Sequence, residues 1–353
     1  MEQDKKNLLE MIDRPAFLVQ DGIIQFANQI AKNRQIQERT PIEEFLTEHL
    51  EAYKQFKSGC LYLTLEIGLV NCGATITRQT DGDLFLLERD LDMAQLQALS
   101  LAGQQLRMPL ANVMTLADSL IDTLPESSTG EQAGQLSRSL HQLLRIISNM
   151  ADSERYMGLE THNLETTELS VFLREVIEKA QCALDESSVR ICYEGLPRAV
   201  FTLADRERLE RAIFNLISNA VKFSPKDGIV QIKADIVGKQ VYISVEDQGC
   251  GIAPSVMGSL FSRYQREASI EDSRFGLGLG MTLVRTAAAI HGGTVLVDQP
   301  GGTRVTMSIA LRKTIPGGLR SPSLRISDYL GGRDNALVEL SDALPTTAYK
   351  KNP

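Results

Sequence analysis

Two amides four residues apart, with a lysine one turn further on, share one face of the stretch Asn215-Leu-Ile-Ser-Asn219-Ala-Val-Lys222. Neutral amide oxygens complete the octahedral shell of a Mg²⁺ already held by phosphates, and an ammonium neutralises phosphate charge. A polar helix face fits the same residues, so this stretch alone decides nothing. Two others narrow the choice. Asp247-Gln-Gly249-Cys-Gly251-Ile252 follows a strand-like run, where a carboxylate accepts a hydrogen bond from the exocyclic amino group of adenine. Gly249 and Gly251 let backbone approach a base with no Cβ in the way. Gly276-Leu-Gly278-Leu-Gly280 precedes a helix predicted over 281–290 and offers bare amides and a helix N-terminus to phosphate oxygens. The three stretches in this order predict an ATP site with Mg²⁺ on Asn215 and Asn219.

A further stretch, Gln104-Gln105-Leu106-Arg107-Met108-Pro109-Leu110, lies inside a heptad. Leu96, Leu99, Gly103, Leu106, Leu110, Val113, Ala117, Leu120 and Leu124 follow at alternating steps of three and four, the seam of a coiled coil or bundle. Gln104, Gln105 and Met108 fall outside that seam and face whatever docks there. Pro109 cannot donate to the Gln105 carbonyl, a loss of roughly 3 kcal/mol unless neighbours compensate. The position is either a reactive or docking turn or a tolerated proline.

The supporting elements divide the chain into a multidomain α+β arrangement. Residues 1–90 read as a small α+β domain, with short strands at 16–19 and 23–27 joined across Asp21-Gly22 and later strands at 61–67, 74–78 and 84–88. Residues 91–158 read as a helical hairpin with a loop at 126–130. Its second helix repeats the seam through Leu136, Leu140, Leu143, Ile147 and Met150. Leu144 and Ile146 widen the stripe beyond what two helices cover, which predicts a homodimeric four-helix bundle. His141, beside the seam, is expected at the surface. Residues 165–313 read as an α/β nucleotide-binding domain, with helices over 169–184 and 205–223 and late strands at 294–297 and 303–310. Residues 314–353 begin as a linker and offer one amphipathic helix over 335–344, with Leu337, Leu340 and Leu344 on one face and no legible role.

Composition sets outer limits. A net charge of −8 argues against nucleic acid or an anionic membrane surface as the main partner. Five scattered cysteines without ligand spacing point to a reducing compartment and no metal knuckle. No apolar run is long enough for a membrane helix, so a cytoplasmic location is expected.

Taken with these residues, the chain resembles the sensor histidine kinases. Leu106, Arg107, Pro109 and Leu110 match their phosphoacceptor box, while Gln104 stands at the phosphorylated histidine, Gln105 at its acidic neighbour and Met108 at a threonine. The stretches around Asn215, Asp247 and Gly276 resemble the N, G1 and G2 boxes of the GHKL ATPases, and Phe261 and Tyr264 fit the kinases' F-box position. His291-Gly-Gly293 matches a common kinase ending and is expected to be structural. Residues 1–90 are similar to a PAS sensor domain. The resemblance implies a C-terminal α/β sandwich of GHKL type, a homodimer, and a response regulator or an intact kinase as partner. It leaves open whether the chain is a non-catalytic ATP-binding scaffold or phosphorylates the histidine of another protein. Gln104 is no nucleophile, because its amide nitrogen lone pair is delocalised. Loss of a general base at Gln105 alone removes roughly 10²–10⁴ in rate.

Overall fold

The structure, a computed structural model, describes residues 3–88, 93–123, 126–151, 163–257, 260–261, 280–312 and 334–349. After helix α1 (Gln3–Glu10), strands β1 (Ala16–Gln20) and β2 (Ile23–Ala27) form the expected hairpin at Asp21-Gly22. Helices α2 (Gln29–Asn33) and α3 (Leu50–Gln55) precede the antiparallel β3 (Cys60–Ile67), β4 (Val70–Gln79) and β5 (Gly82–Leu87). These strands lie in the order β2-β1-β5-β4-β3. Their core holds Phe17 stacked on Phe85 at 4.8 Å, with Ile24, Leu63 and Ile76 fully buried. Asn28 fixes the entry to α2, its Oδ1 accepting from Ala31 N at 2.9 Å and Ala16 N at 3.0 Å.

The hairpin is α4 (Met93–Thr123), continuous through Pro109, and α5 (Glu126–Ala151). The loop expected at 126–130 is instead the first turn of α5; Ser and Thr are favoured where a helix begins, and the bonds gained along the turn outweigh the cost of Gly130. Leu110, Met114 and Ala117 of α4 meet Leu140, Leu144 and Ile147 of α5. The heptad therefore splits into two stripes. Gly103, Leu110 and Ala117 face α5, whereas Leu106, Val113 and Leu120 are exposed, as are Leu136 and Leu143 on α5. Alternate members of the series stand to either side of its midline on the helix, and only one set meets α5. Gly103 permits the closest approach, since a Cβ there would lie 2.4 Å from Ala151 N.

The remaining elements are β6 (Glu165–Glu168), α6 (Leu169–Ala183), β7 (Arg190–Glu194), β8 (Phe201–Ala204), α7 (Arg206–Phe223), β9 (Ile229–Val237), β10 (Gln240–Glu246), α8 (Pro254–Met257), α9 (Gly280–Ile290), β11 (Val295–Asp298) and β12 (Arg304–Ala310). Strands run β11-β12-β10-β9-β7, with β7 parallel to β9 and β6 paired with β8 apart. The buried sides of α6, α7 and α9 (Phe172, Ile213, Ile217, Val284) close one core with Ile232, Ile243 and Met307 of the sheet.

Two contacts join these units and were not expected from sequence. Strand β3 pairs with β11, Tyr62 opposite Val295 and Cys60 opposite Val297, so ten strands form one sheet. Gly59, at φ +90°, allows the approach, because a Cβ there would lie 2.0 Å from Val297 O. The second contact is α10 (Asn335–Glu339), which packs against α5, α6 and α7. It is shorter than the helix expected over 335–344: the backbone leaves helical geometry at Leu340, at φ −92° and ψ 4°.

Candidate nucleotide site

Helix α7 sets one wall. Asp205 caps it, Oδ1 accepting from Arg208 N at 3.2 Å. The Asp205 N–H donates to His291 Nε2 at 3.0 Å, while His291 Nδ1 lies 2.6 Å from Ala287 O. Nδ1 therefore carries the proton, and His291 is a buried structural link, as its motif implied. Asn215 is 1% exposed; Nδ2 donates to Arg211 O at 2.9 Å, and Oδ1 accepts from Arg145 Nη2 at 2.8 Å. One turn on, Asn219 is half-buried with Nδ2 4.0 Å from Met281 Sδ. The Lys222 ammonium stands 5.5 Å from the centre of the Phe223 ring.

Asp247 follows the last residue of β10 and is buried. Its Oδ1 accepts from Gly249 N at 2.8 Å and Thr303 N at 3.1 Å. Burial pushes its carboxyl above the ordinary value of 3.8, against the lowering effect of those two bonds. Gly249 has no room for a side chain, since a Cβ would meet Phe223 O at 2.5 Å; Gly251 follows at φ +76°. Gly280 opens α9 beside α7, where a Cβ would lie 2.9 Å from Asn215 Oδ1 and 4.0 Å from Asn219 Nδ2.

The structure thus brings Asn215, Asn219 and Gly280 together, and sets Asp247 and Gly249 at the end of α7 through Phe223. Gly276, Gly278 and Tyr264 lie outside the described residues. Phe261 is buried against Tyr62, ring centres 5.4 Å apart. The residues fit a Mg-nucleotide. A buried amide oxygen already takes a cationic partner, and the bare helix start beside it is a cradle that a Cβ would fill.

Four contributors were not expected from sequence: Thr303, which bonds Asp247, Arg145 and Arg211, which bond Asn215, and Glu339, which faces both arginines. Arg145 lies one residue from the apolar stripe of α5, where an arginine reads as solvated; its partners come from distant segments. His141 is likewise buried, against the Tyr349 ring at 4.9 Å, and not at the surface as expected. Residues 334–349 supply that cover, and no local pattern announces it. Gln104, Gln105 and Met108 are exposed on α4, as expected, with Gln104 Nε2 3.4 Å from Ser100 Oγ.

Residues 204–313 match the family described as histidine kinase-, DNA gyrase B- and HSP90-like ATPase. The sensor-like histidine kinase SenX3 of Mycobacterium tuberculosis is 27% identical over 246 residues, covering 67% of this chain and 60% of that protein. The histidine protein kinase DivJ of Caulobacter vibrioides is 30% identical over 241 residues, 64% of this chain and 40% of that protein. Among solved structures, full-length ShkA in complex with AMPPNP is similar at 26% identity with a TM-score of 0.50, over 64% of this chain and 47% of that one. The chain spans 60% or less of each of these relatives. With the ATPase fold, the converging glycine stretches and these likenesses together, residues 204–313 carry a GHKL-type ATPase domain, and the chain is similar to the sensor histidine kinases.

Proposed function

We propose that this chain is a cytoplasmic two-component signalling protein that binds Mg-ATP and works without phosphorylating residue 104. The observation that carries the reading is the convergence of Asn215, Asn219 and Gly280 at one point, with Asp247 buried at the adjoining strand end. Asn215 and Asn219 would hold Mg²⁺ through their amide oxygens, and Asp247 would orient the adenine. Bound there, the ion would supply charge neutralisation for the phosphates. Gly280 and the N-terminus of α9 would receive phosphate oxygens. Residues 1–90 act as a PAS-type sensor, and the open stripes of α4 and α5 pair two copies into a four-helix bundle.

Gln104 and Gln105 offer no nucleophile and no base, so autophosphorylation on α4 is absent. A second reading is favoured by the intact ATP-binding stretches: the γ-phosphate goes to the histidine of an intact partner kinase. Calorimetry with Mg-ATP tests the first claim. Wild type binds and Asp247→Ala binds at least tenfold more weakly, about 1.4 kcal/mol; no heat from wild type at millimolar nucleotide refutes it. Labelled ATP, with and without a histidine-bearing partner, tests the second.

A further inference from the structure

The cation resting on Asn215 belongs to the chain itself. Arg145, from α5, is 8% exposed and directs Nη2 to within 2.8 Å of Asn215 Oδ1, the oxygen assigned above to Mg²⁺. Two carboxylates hold the guanidinium in place. Asp342 Oδ2 accepts from Nη1 at 2.8 Å, and Glu339 Oε2 lies 3.4 Å from Nε. Glu339 is fully buried, and its other oxygen accepts from Arg211 Nε at 2.9 Å, one turn before Asn215 on α7. Two arginines thus face two acids, one arginine from the hairpin and one from the ATPase unit.

Both acids come from residues 334–349, and that segment is anchored to each unit separately. Ala336, Leu340 and Leu344 enter the ATPase core, whereas Val338 enters the hairpin core. Arg138 donates to the carbonyls of Ser341 and Asp342 at 3.2 Å each.

We propose that residues 334–349 are a tethered brake on nucleotide loading: they hold Arg145 in the metal's place on Asn215, so Mg-ATP enters only when Arg145 withdraws. This rests on the nucleotide reading above. A guanidinium and a divalent ion repel each other and compete for the same amide lone pairs, so the two occupants exclude one another. The apparent nucleotide affinity is then the intrinsic affinity scaled by the fraction of molecules with Arg145 withdrawn. The same contacts tie α5 to α7, so loading the site and freeing the ATPase unit from the hairpin are one event.

The test uses the full chain. Mg-ATP is titrated by calorimetry into wild type, Glu339→Gln, Asp342→Asn and Asp247→Ala, and amide hydrogen exchange over residues 334–349 is followed with and without nucleotide. Glu339→Gln and Asp342→Asn each bind about tenfold more tightly than wild type, as expected when one charge-assisted contact to Arg145 is lost. Nucleotide accelerates exchange over 334–349 in wild type. Should the buried Glu339→Gln lose its fold, Asp342→Asn decides, because that side chain is 30% exposed. Equal affinity in wild type and Asp342→Asn, with exchange over 334–349 unmoved by nucleotide, overturns the brake and leaves the nucleotide site standing. Absence of binding in every form overturns the site and the brake together.

Discussion

Glu88, just beyond the last strand of the N-terminal unit, is paired with Arg285 in the middle of α9. Tyr62 Oη donates to the same carboxylate oxygen at 2.9 Å, and the Arg285 guanidinium lies 5.5 Å from the Tyr62 ring centre. The helix whose N-terminus faces Asn215 is thereby fastened to the N-terminal unit through an arginine only 4% exposed.

Removing one partner of that pair should expose its importance. Glu88→Ala leaves Arg285 buried with its main counter-charge gone, a loss of about 3 kcal/mol. The double change Glu88→Ala with Arg285→Met should recover most of it. Urea unfolding measures both, and a single change without effect would show the pair to be dispensable.

Nucleotide binding should weaken on acidification earlier than an ordinary carboxylate predicts. The Asp247 carboxyl titrates above 3.8, and protonation removes its charge and weakens it as an acceptor. Because the folded value is raised, the folded state takes up that proton more readily than the unfolded one. Acidification through this window therefore favours folding at Asp247, so this group's titration weakens binding without itself destabilising the fold. Calorimetry across pH 4–6, compared with Asp247→Asn, isolates the effect.

The two stripes of α4 separate the proposed dimerisation from hairpin packing. Leu120→Asp, on the open stripe, should dissociate the homodimer while leaving helix content unchanged; each buried leucine is worth roughly 1.5–3 kcal/mol. Leu110→Asp lies on the stripe that meets α5 and should open the hairpin as well. Sedimentation together with circular dichroism distinguishes them.

At the exposed turn of α4, Gln104→His alone should incorporate little phosphate, since Gln105 neither orients nor deprotonates the imidazole. Gln104→His with Gln105→Glu should raise acid-labile phosphate by roughly 10²-fold or more over the single change. Equal incorporation by the two would show the acidic neighbour to be dispensable.

What the sequence disclosed was whatever neighbours along the chain decide. Asp205 announces the start of α7, Asp21-Gly22 announces a hairpin, and Asn215, Asn219 and Asp247 announce a site because each box is short. The stretches holding Gly276, Gly278 and Tyr264 lie outside the described residues. Contacts between distant segments left no local pattern. Nothing near Arg145 marks it as a partner of Glu339 and Asp342, and nothing near Cys60 marks β3 as the neighbour of β11. His141 is buried by the same kind of contact, its cover being supplied by Tyr349.

The seam between β3 and β11 also bears on how the chain folds. Tyr62 and Val295 pair from opposite ends of the sequence, so this ladder forms after the greatest loop closure in the sheet. During synthesis the N-terminal unit is complete once Leu87 has emerged, yet the β3 edge stays open until β11 follows. An open edge is a template for pairing with other chains. Chains halted before Val295 should therefore self-associate, which makes β11 the strand that ends a period of vulnerability on the ribosome.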